Sequence, residues 1–105
     1  MFKSDNGKWH EDFVKSALAD PHVKAEYEAF KLQFELAEQL KNARKERHMT
    51  QENVAEKMCT KKAAIARIES SGGKGKHSPS LTTLVKYAKA IGCHLEIKVI
   101  PDSLA

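Results

Sequence analysis

Residues 50–69 constrain the fold of this chain more than any other stretch. They read TQENVAEKMCTKKAAIARIE and predict two short helices joined by about three residues. Thr50 is suited to cap the first helix and Thr60 the second, because a threonine oxygen accepts hydrogen bonds from the free amides of a helix start. The small side chain of Ala55 lets the two backbones approach closely, and Ile65 fixes the second helix against the first.

Most of the remaining chain also has helical periodicity. Apolar residues recur every three or four positions, and Pro21 and Pro79 stand where helices should begin. A break in the long second helix near residues 29–33 is compatible with the pattern, and Gly92 is the expected residue after the last helix. The predicted helices cover residues 11–19, 21–48, 51–58, 61–70 and 81–91.

The C-terminal segment changes period. Leu95, Ile97 and Val99 alternate with polar residues, as in a half-buried strand that ends at Pro101. A lone strand leaves its backbone groups without partners. We therefore expect this strand to pair with the same strand of a second copy, giving a homodimer with a two-fold axis.

Charge is distributed unevenly along the chain. Residues 1–40 hold five lysines and eight acidic residues, a net charge of −3, whereas residues 41–105 hold thirteen basic and six acidic residues, a net charge of +7. Such a basic stretch suits a polyanion such as nucleic acid, although it is also compatible with a solvated basic surface.

The predicted second helix of residues 50–69 has an outward face that fits a DNA groove. Lys61, Lys62 and Arg67 lie on this face, with Ala63 and Ala66 between them. Long cations reach phosphates and guanine edges, and small residues permit close approach to the major groove. The alternative is a plain helical hairpin with a charged exterior.

This stretch resembles the helix-turn-helix of the phage-repressor-like (Xre) family of DNA-binding proteins. The resemblance covers about residues 40–92 and implies five helices around one core. One position departs from the family, which usually has glycine with a positive φ at the turn where this chain has Cys59; a non-glycine residue there costs about 1 kcal/mol or shifts the turn. The matching residues are Thr50, Gln51, Ala55, Ile65 and Glu69.

The resemblance also implies roles for individual residues. Gln51 and Lys61 would contact phosphate, and Arg44 would form an ion pair with Glu69 that ties the first helix of the family domain to the end of the recognition helix. Independently of the resemblance, Lys74 and Lys76 in a glycine-rich loop are expected either to lie near DNA phosphate or to be simply solvated. The residues that would face base edges are Lys62, Ala63 and Arg67, and Thr60 completes the expected DNA-contacting set.

The wider architecture is similar to that of HigA-type antitoxins. It predicts a mainly α protein: an acidic helical extension over residues 1–33, a helix-turn-helix domain over 34–92, and a strand and tail over 93–105. The resemblance implies a repressor of its own operon that neutralises a ribonuclease toxin of the RelE/HigB fold. The alternative is a stand-alone phage-type regulator without a toxin.

The acidic N-terminal segment is the expected contact for such a basic toxin. Trp9, Phe13 and Leu18 would supply the apolar anchors, since aromatic side chains contribute much of the energy of protein interfaces. The alternative is that these residues cover the helical core of the chain itself.

Other sequence signals argue against an enzyme. The stretch SGGKGKHS lacks the glycine spacing of a phosphate-binding loop, and no acid/base or nucleophile set is evident. We therefore expect no catalytic residue, metal or cofactor. The absence of an apolar leader or membrane-length apolar run predicts a cytoplasmic protein. The histidines and cysteines, which lack metal-ligand spacing, are best interpreted as surface imidazoles and reduced thiols: His48, Cys59, His77, Cys93 and His94.

Overall fold

The computed structural model describes residues 8–70 and 78–102, with side chains from residue 11 onward. It confirms a mainly helical fold. The helices are α1 (Lys8–Ala17), α2 (Pro21–Glu46), α3 (Gln51–Lys57), α4 (Lys62–Glu69) and α5 (Leu81–Ala90).

The first two helices differ in detail from the sequence prediction. α1 ends at Ala17 rather than at residue 19, because Asp20 adopts the extended conformation of an N-cap and accepts a hydrogen bond from the His22 N–H, 2.9 Å away. Pro21 then opens α2, as predicted. The 26 residues of α2 continue without a break through residues 29–33 and across residue 33, where the acidic extension is predicted to end.

The predicted cap at Thr50 is present, and the predicted cap at Thr60 is wrong. The Asn53 N–H donates to the Thr50 hydroxyl at 3.0 Å, while the Thr50 N–H donates to the Asn53 side chain at 2.8 Å. Ser80 caps α5 by accepting from the Thr83 N–H at 3.1 Å. Thr60 does not cap α4. Its N–H donates to the Ala55 carbonyl at 2.8 Å as the chain turns, so α4 starts later, with Lys61 as an N-cap that makes no side-chain bond.

The hydrophobic core lies between the C-terminal half of α2 and helices α3, α4 and α5. Of the described side chains in α1, none is buried. Within residues 8–70 and 78–102, no helix combines the length and the apolar content needed to cross a membrane. The core cluster consists of Leu40, Val54, Ala55, Ile65, Ile68, Leu84, Tyr87, Ala88 and Ile91.

The predicted C-terminal strand is not formed in the single chain. Gly92 has a φ of +79° and ends α5 as expected, but residues 93–102 have no regular secondary structure. The physical reason is that a strand is held by hydrogen bonds to a neighbouring strand, and the described residues of one chain offer none. Leu95 packs partly against the core, whereas Ile97 and Val99 are 67% and 96% exposed.

Candidate nucleic-acid interface

The turn between α3 and α4 sets the direction in which α4 leaves the core. Cys59 has a φ of +57°, the left-handed conformation predicted for this position. The turn has therefore kept its geometry without glycine, at a conformational cost of about 1 kcal/mol. His48, just before α3, has the same φ of +57°, which was not predicted from the sequence.

Helix α4 has one buried and one exposed face. Its C-terminal residues Ile68 and Glu69 are buried, and Ile65 is completely inaccessible to solvent. The opposite face is open and combines two long cations with two small residues, a composition suited to close approach to a DNA groove. The exposed residues of this face are Lys62, Ala63, Ala66 and Arg67, and the N-cap Lys61 is exposed beside them.

The buried face is anchored by a bidentate ion pair. Arg44 Nε donates to Glu69 Oε2 at 2.7 Å, and Arg44 Nη2 donates to Glu69 Oε1 at 3.1 Å. The remaining guanidinium nitrogen, Nη1, donates to the Met49 carbonyl at 2.8 Å. The structure thus brings together two residues that the family resemblance pairs. Two parallel N–H···O bonds fix the orientation of both side chains.

Two further side chains reach the same carboxylate. Gln51 Nε2 donates to Glu69 Oε1 at 2.9 Å, and the Tyr87 hydroxyl donates to Glu69 Oε2. The last residue of α4 is therefore hydrogen-bonded to α2, α3 and α5 at once. Among the described residues, every buried side-chain nitrogen and oxygen has a hydrogen-bond partner.

Hydrogen bonding and burial set the charge states of Arg44, Glu69 and Tyr87. Burial by itself would raise the pKa of Glu69, but the hydrogen bonds from Arg44, Tyr87 and Gln51 outweigh it and lower that pKa. The hydrogen bond to Glu69 raises the pKa of Arg44. Burial, followed by the hydrogen bond to Glu69, raises the pKa of Tyr87. Glu69 and Arg44 are therefore charged, and Tyr87 is a neutral donor, at neutral pH.

Neither the role of Tyr87 nor the contact of Gln51 with Glu69 was predicted from the sequence. Tyr87 is completely buried, and a buried tyrosine hydroxyl usually finds a partner, so its position beside the apolar stripe of α5 was an available signal. Gln51 is half-buried, and its amide is engaged in the core rather than directed only at solvent.

The other predicted site residues are dispersed. Thr60 is exposed at the turn, while Lys74, Lys76 and the Trp9 side chain lie outside the described part of the chain. Phe13, on α1, is 65% exposed, and Leu18, just after the end of that helix, is half-buried. Across residues 8–70 and 78–102, no group of three or more histidine, cysteine or acidic side chains is placed to hold a metal ion.

A family model described as helix-turn-helix matches residues 40–98, which is more than half of the chain. The match runs from the buried end of α2 through α3, α4 and α5, and it supports the resemblance to the phage-repressor-like family. Comparison with curated proteins and with solved structures gives no match.

Proposed function

Since the chain belongs to the helix-turn-helix family and is a DNA-binding transcriptional regulator, we propose that it is a sequence-specific repressor that also acts as an antitoxin. In the cytoplasm it represses its own operon and neutralises a ribonuclease toxin of the RelE/HigB fold. The observation that carries the DNA-binding part is the contrast between the two faces of α4. One face is fixed in the core through Glu69, while the other presents exposed cations and small residues to solvent.

In this proposal the exposed face of α4 reads base edges through Lys62, Ala63 and Arg67. Arg67 is the strongest candidate for specificity, because a guanidinium can donate two parallel hydrogen bonds to guanine. Lys61 precedes the helix and contacts phosphate, which carries no sequence information. Gln51 donates one amide hydrogen to Glu69, which holds α4 in place, and donates its second amide hydrogen to phosphate.

The repressor acts as a homodimer in this proposal. Ile97 and Val99 are mostly exposed in the single chain, and Leu95 is half-buried at the edge of the core. Pairing with the same segment of a second copy would satisfy the backbone of residues 93–100 and cover these side chains. A two-fold axis would place two recognition helices about 34 Å apart, matching an inverted-repeat operator.

The antitoxin part of the proposal rests on the N-terminal segment. Its net charge is opposite to that of the remaining chain, and a toxin that holds RNA must itself be basic. The exposed ring of Phe13 is an available anchor on α1, and the proposal assigns the same role to Trp9 and Leu18.

Co-expression with the candidate toxin tests both halves of the proposal. Phe13→Glu should abolish toxin neutralisation and co-purification, while operator binding stays unchanged because α1 is outside the domain core. Lys15→Ala, an exposed change on the same helix, is the matched control and should retain both activities. If Phe13→Glu still neutralises the toxin, the contact lies elsewhere. A chain that represses fully but has no basic partner would be a stand-alone regulator.

A further inference from the structure

An apolar stripe on the N-terminal half of α2 is open to solvent. It consists of Val23, Tyr27, Phe30 and Phe34, whose exposed fractions are 38%, 42%, 45% and 48%. Their spacing of four, three and four residues puts them on one seam of the helix, as in the a and d positions of a heptad. Three of the four are aromatic, so a considerable apolar area is left exposed.

The stripe continues a row that is buried farther along the same helix. The next residue of the series, Ala37, is 3% exposed and borders the core, which holds the C-terminal half of α2. Since nucleation is the costly step of helix formation, the anchored half supports the exposed half as a formed helix. A second helix that packs on the stripe would therefore bury apolar surface without the entropic cost of ordering α2.

Helix α1 does not close this surface. An open groove of about 370 Å³ remains between the two helices at the N-terminal end of the stripe, and its lining includes Val14, Leu18 and Tyr27. Phe30 and Phe34 lie beyond that groove toward the core. The stripe thus has room for another helix along its length.

We propose that this stripe pairs with the same stripe of a second copy of the chain, with the two α2 helices parallel. The charges beside the seam favour this arrangement. With Tyr27 at an a position, Glu26 occupies g and Lys31 occupies the following e, and these are the positions that face each other across a parallel pair. Two symmetry-related pairs then form between Glu26 and the partner's Lys31.

The same charges disfavour the antiparallel arrangement. There the e positions of the two helices face each other, which brings Lys24 close to the partner's Lys31. Like charges at such positions oppose association and select between partners and orientations. The charge pattern therefore favours a second copy of the chain as the partner, with its α2 helix parallel to the first.

This surface is separate from those used in the proposed function. The toxin anchors belong to the segment 9–18, and the other self-association surface is the C-terminal segment. The inference therefore survives if either of those assignments fails, and operator binding measured on the same variants reports on the DNA-binding function independently.

Disulfide cross-linking of the full chain tests the pairing. With Cys59 and Cys93 replaced by serine, Phe30→Cys should form a covalent dimer under mild oxidation, because parallel pairing puts equivalent seam positions opposite each other. Leu32→Cys is the matched control: it lies on the opposite face of α2 and is 65% exposed, so it should cross-link at least tenfold less. Both variants should bind the operator like their parent.

Several outcomes would overturn the proposal. Equal cross-linking at positions 30 and 32 would mean random encounter. Cross-linking that requires a mixture of Tyr27→Cys and Phe30→Cys chains would mean antiparallel pairing. No cross-linking, with Phe30→Cys forming a disulfide only to a cysteine placed on a co-expressed basic ribonuclease, would assign the stripe to that partner instead.

Charge exchange provides a second, independent measurement. Glu26→Lys or Lys31→Glu alone should weaken self-association about tenfold in sedimentation, because two attractive pairs become repulsive. The double variant should restore it, since the pairs are re-formed with reversed sign. Absence of rescue would contradict the parallel register even if the cross-link forms.

Discussion

The two halves of α2 carry similar apolar periodicity but lie in different environments. In the C-terminal half Ala37, Leu40 and Arg44 are buried, whereas in the N-terminal half Phe30 and Phe34 remain about half exposed. A charged residue is therefore inside and two aromatic residues are outside on the same helix. The comparison teaches that periodicity identifies an apolar face without identifying what covers it.

Hydrogen-bond partners explain why the charged Arg44 is buried. Arg44 is tolerated inside because Glu69 and the Met49 carbonyl accept its hydrogen bonds, and a buried charge is stable only when it is paired. Among the described residues, no helix of the domain buries Phe30 or Phe34. Changes in the two halves should accordingly have different consequences for stability and binding.

The largest effect is expected at the ion pair. Arg44→Met should lower the free energy of unfolding by about 3–5 kcal/mol, because it leaves the Glu69 carboxylate buried without its counter-ion. Denaturant unfolding measures the change. Arg47→Ala, an exposed arginine just past the end of α2, is the control and should change stability by less than about 0.5 kcal/mol. Equal losses of stability in the two variants would contradict the distinction between buried and exposed positions of this helix.

A matched pair of leucines compares the two halves directly. Leu40 is 4% exposed and Leu32 is 65% exposed. Leu40→Ala should cost about 2–5 kcal/mol through lost burial and a cavity, whereas Leu32→Ala should cost less than about 0.5 kcal/mol. The measurement is the midpoint of chemical denaturation with the slope held constant. A large cost at Leu32 would mean that the N-terminal half is covered after all.

Helix α4 extends the contrast from stability to DNA binding. Arg67→Ala should reduce operator affinity by about 1–3 kcal/mol and relax base preference at one position, with folding unchanged. Lys61→Ala should instead weaken binding to all sequences alike and reduce the salt dependence. Binding titrations at fixed salt with operator and unrelated DNA separate the two. Lys86→Ala on α5 is the exposed control.

Lowering the pH should reduce the stability that the buried Glu69 carboxylate contributes. The pKa of Glu69 is lowered in the folded chain, so the unfolded state takes up a proton more readily. The stabilisation is complete above the ordinary glutamate pKa of about 4.3 and is lost as pH falls through the lower folded pKa. The stability difference between the parent and Glu69→Gln should therefore shrink from neutral pH to about pH 3. A constant difference would contradict this assignment.

The smallest effect is a gain at the turn. Cys59→Gly should raise stability by about 0.5–1 kcal/mol, because glycine adopts a positive φ without steric cost, and part of that gain is offset by its freer unfolded chain. Cys59→Ser keeps the Cβ atom and should be neutral. Thermal unfolding of the three chains compares them, and a destabilised glycine variant would show that Cys59 makes a compensating contact.

Local features of the sequence were sufficient for much of the fold. Thr50 caps α3 as predicted, since a cap depends on residues within one turn. The left-handed turn at Cys59 followed from the family pattern. Thr60 failed as a cap because α4 begins one residue later than predicted, with Lys61 at the cap position.

The exposed residues of the candidate site were predicted more completely than its buried residues. Lys62 and Arg67 share an outward face because helical geometry fixes that relation. Tyr87 was missed because its hydroxyl meets Glu69 only after α4 and α5 pack, 18 residues apart in sequence. Gln51 was assigned to phosphate alone because its contact with the core is also long-range.

The sequence by itself determined the helices, their apolar faces and the separation of charge between the two ends of the chain. These depend on periodicity, capping and composition, which act between near neighbours. Only the tertiary structure decided that one carboxylate, Glu69, joins four helices, and that the row of apolar residues on α2 is buried at one end and open at the other. The physical reason is that burial and hydrogen-bond partners are set by which distant segments pack together, and a repeating pattern along one helix carries no information about its neighbour.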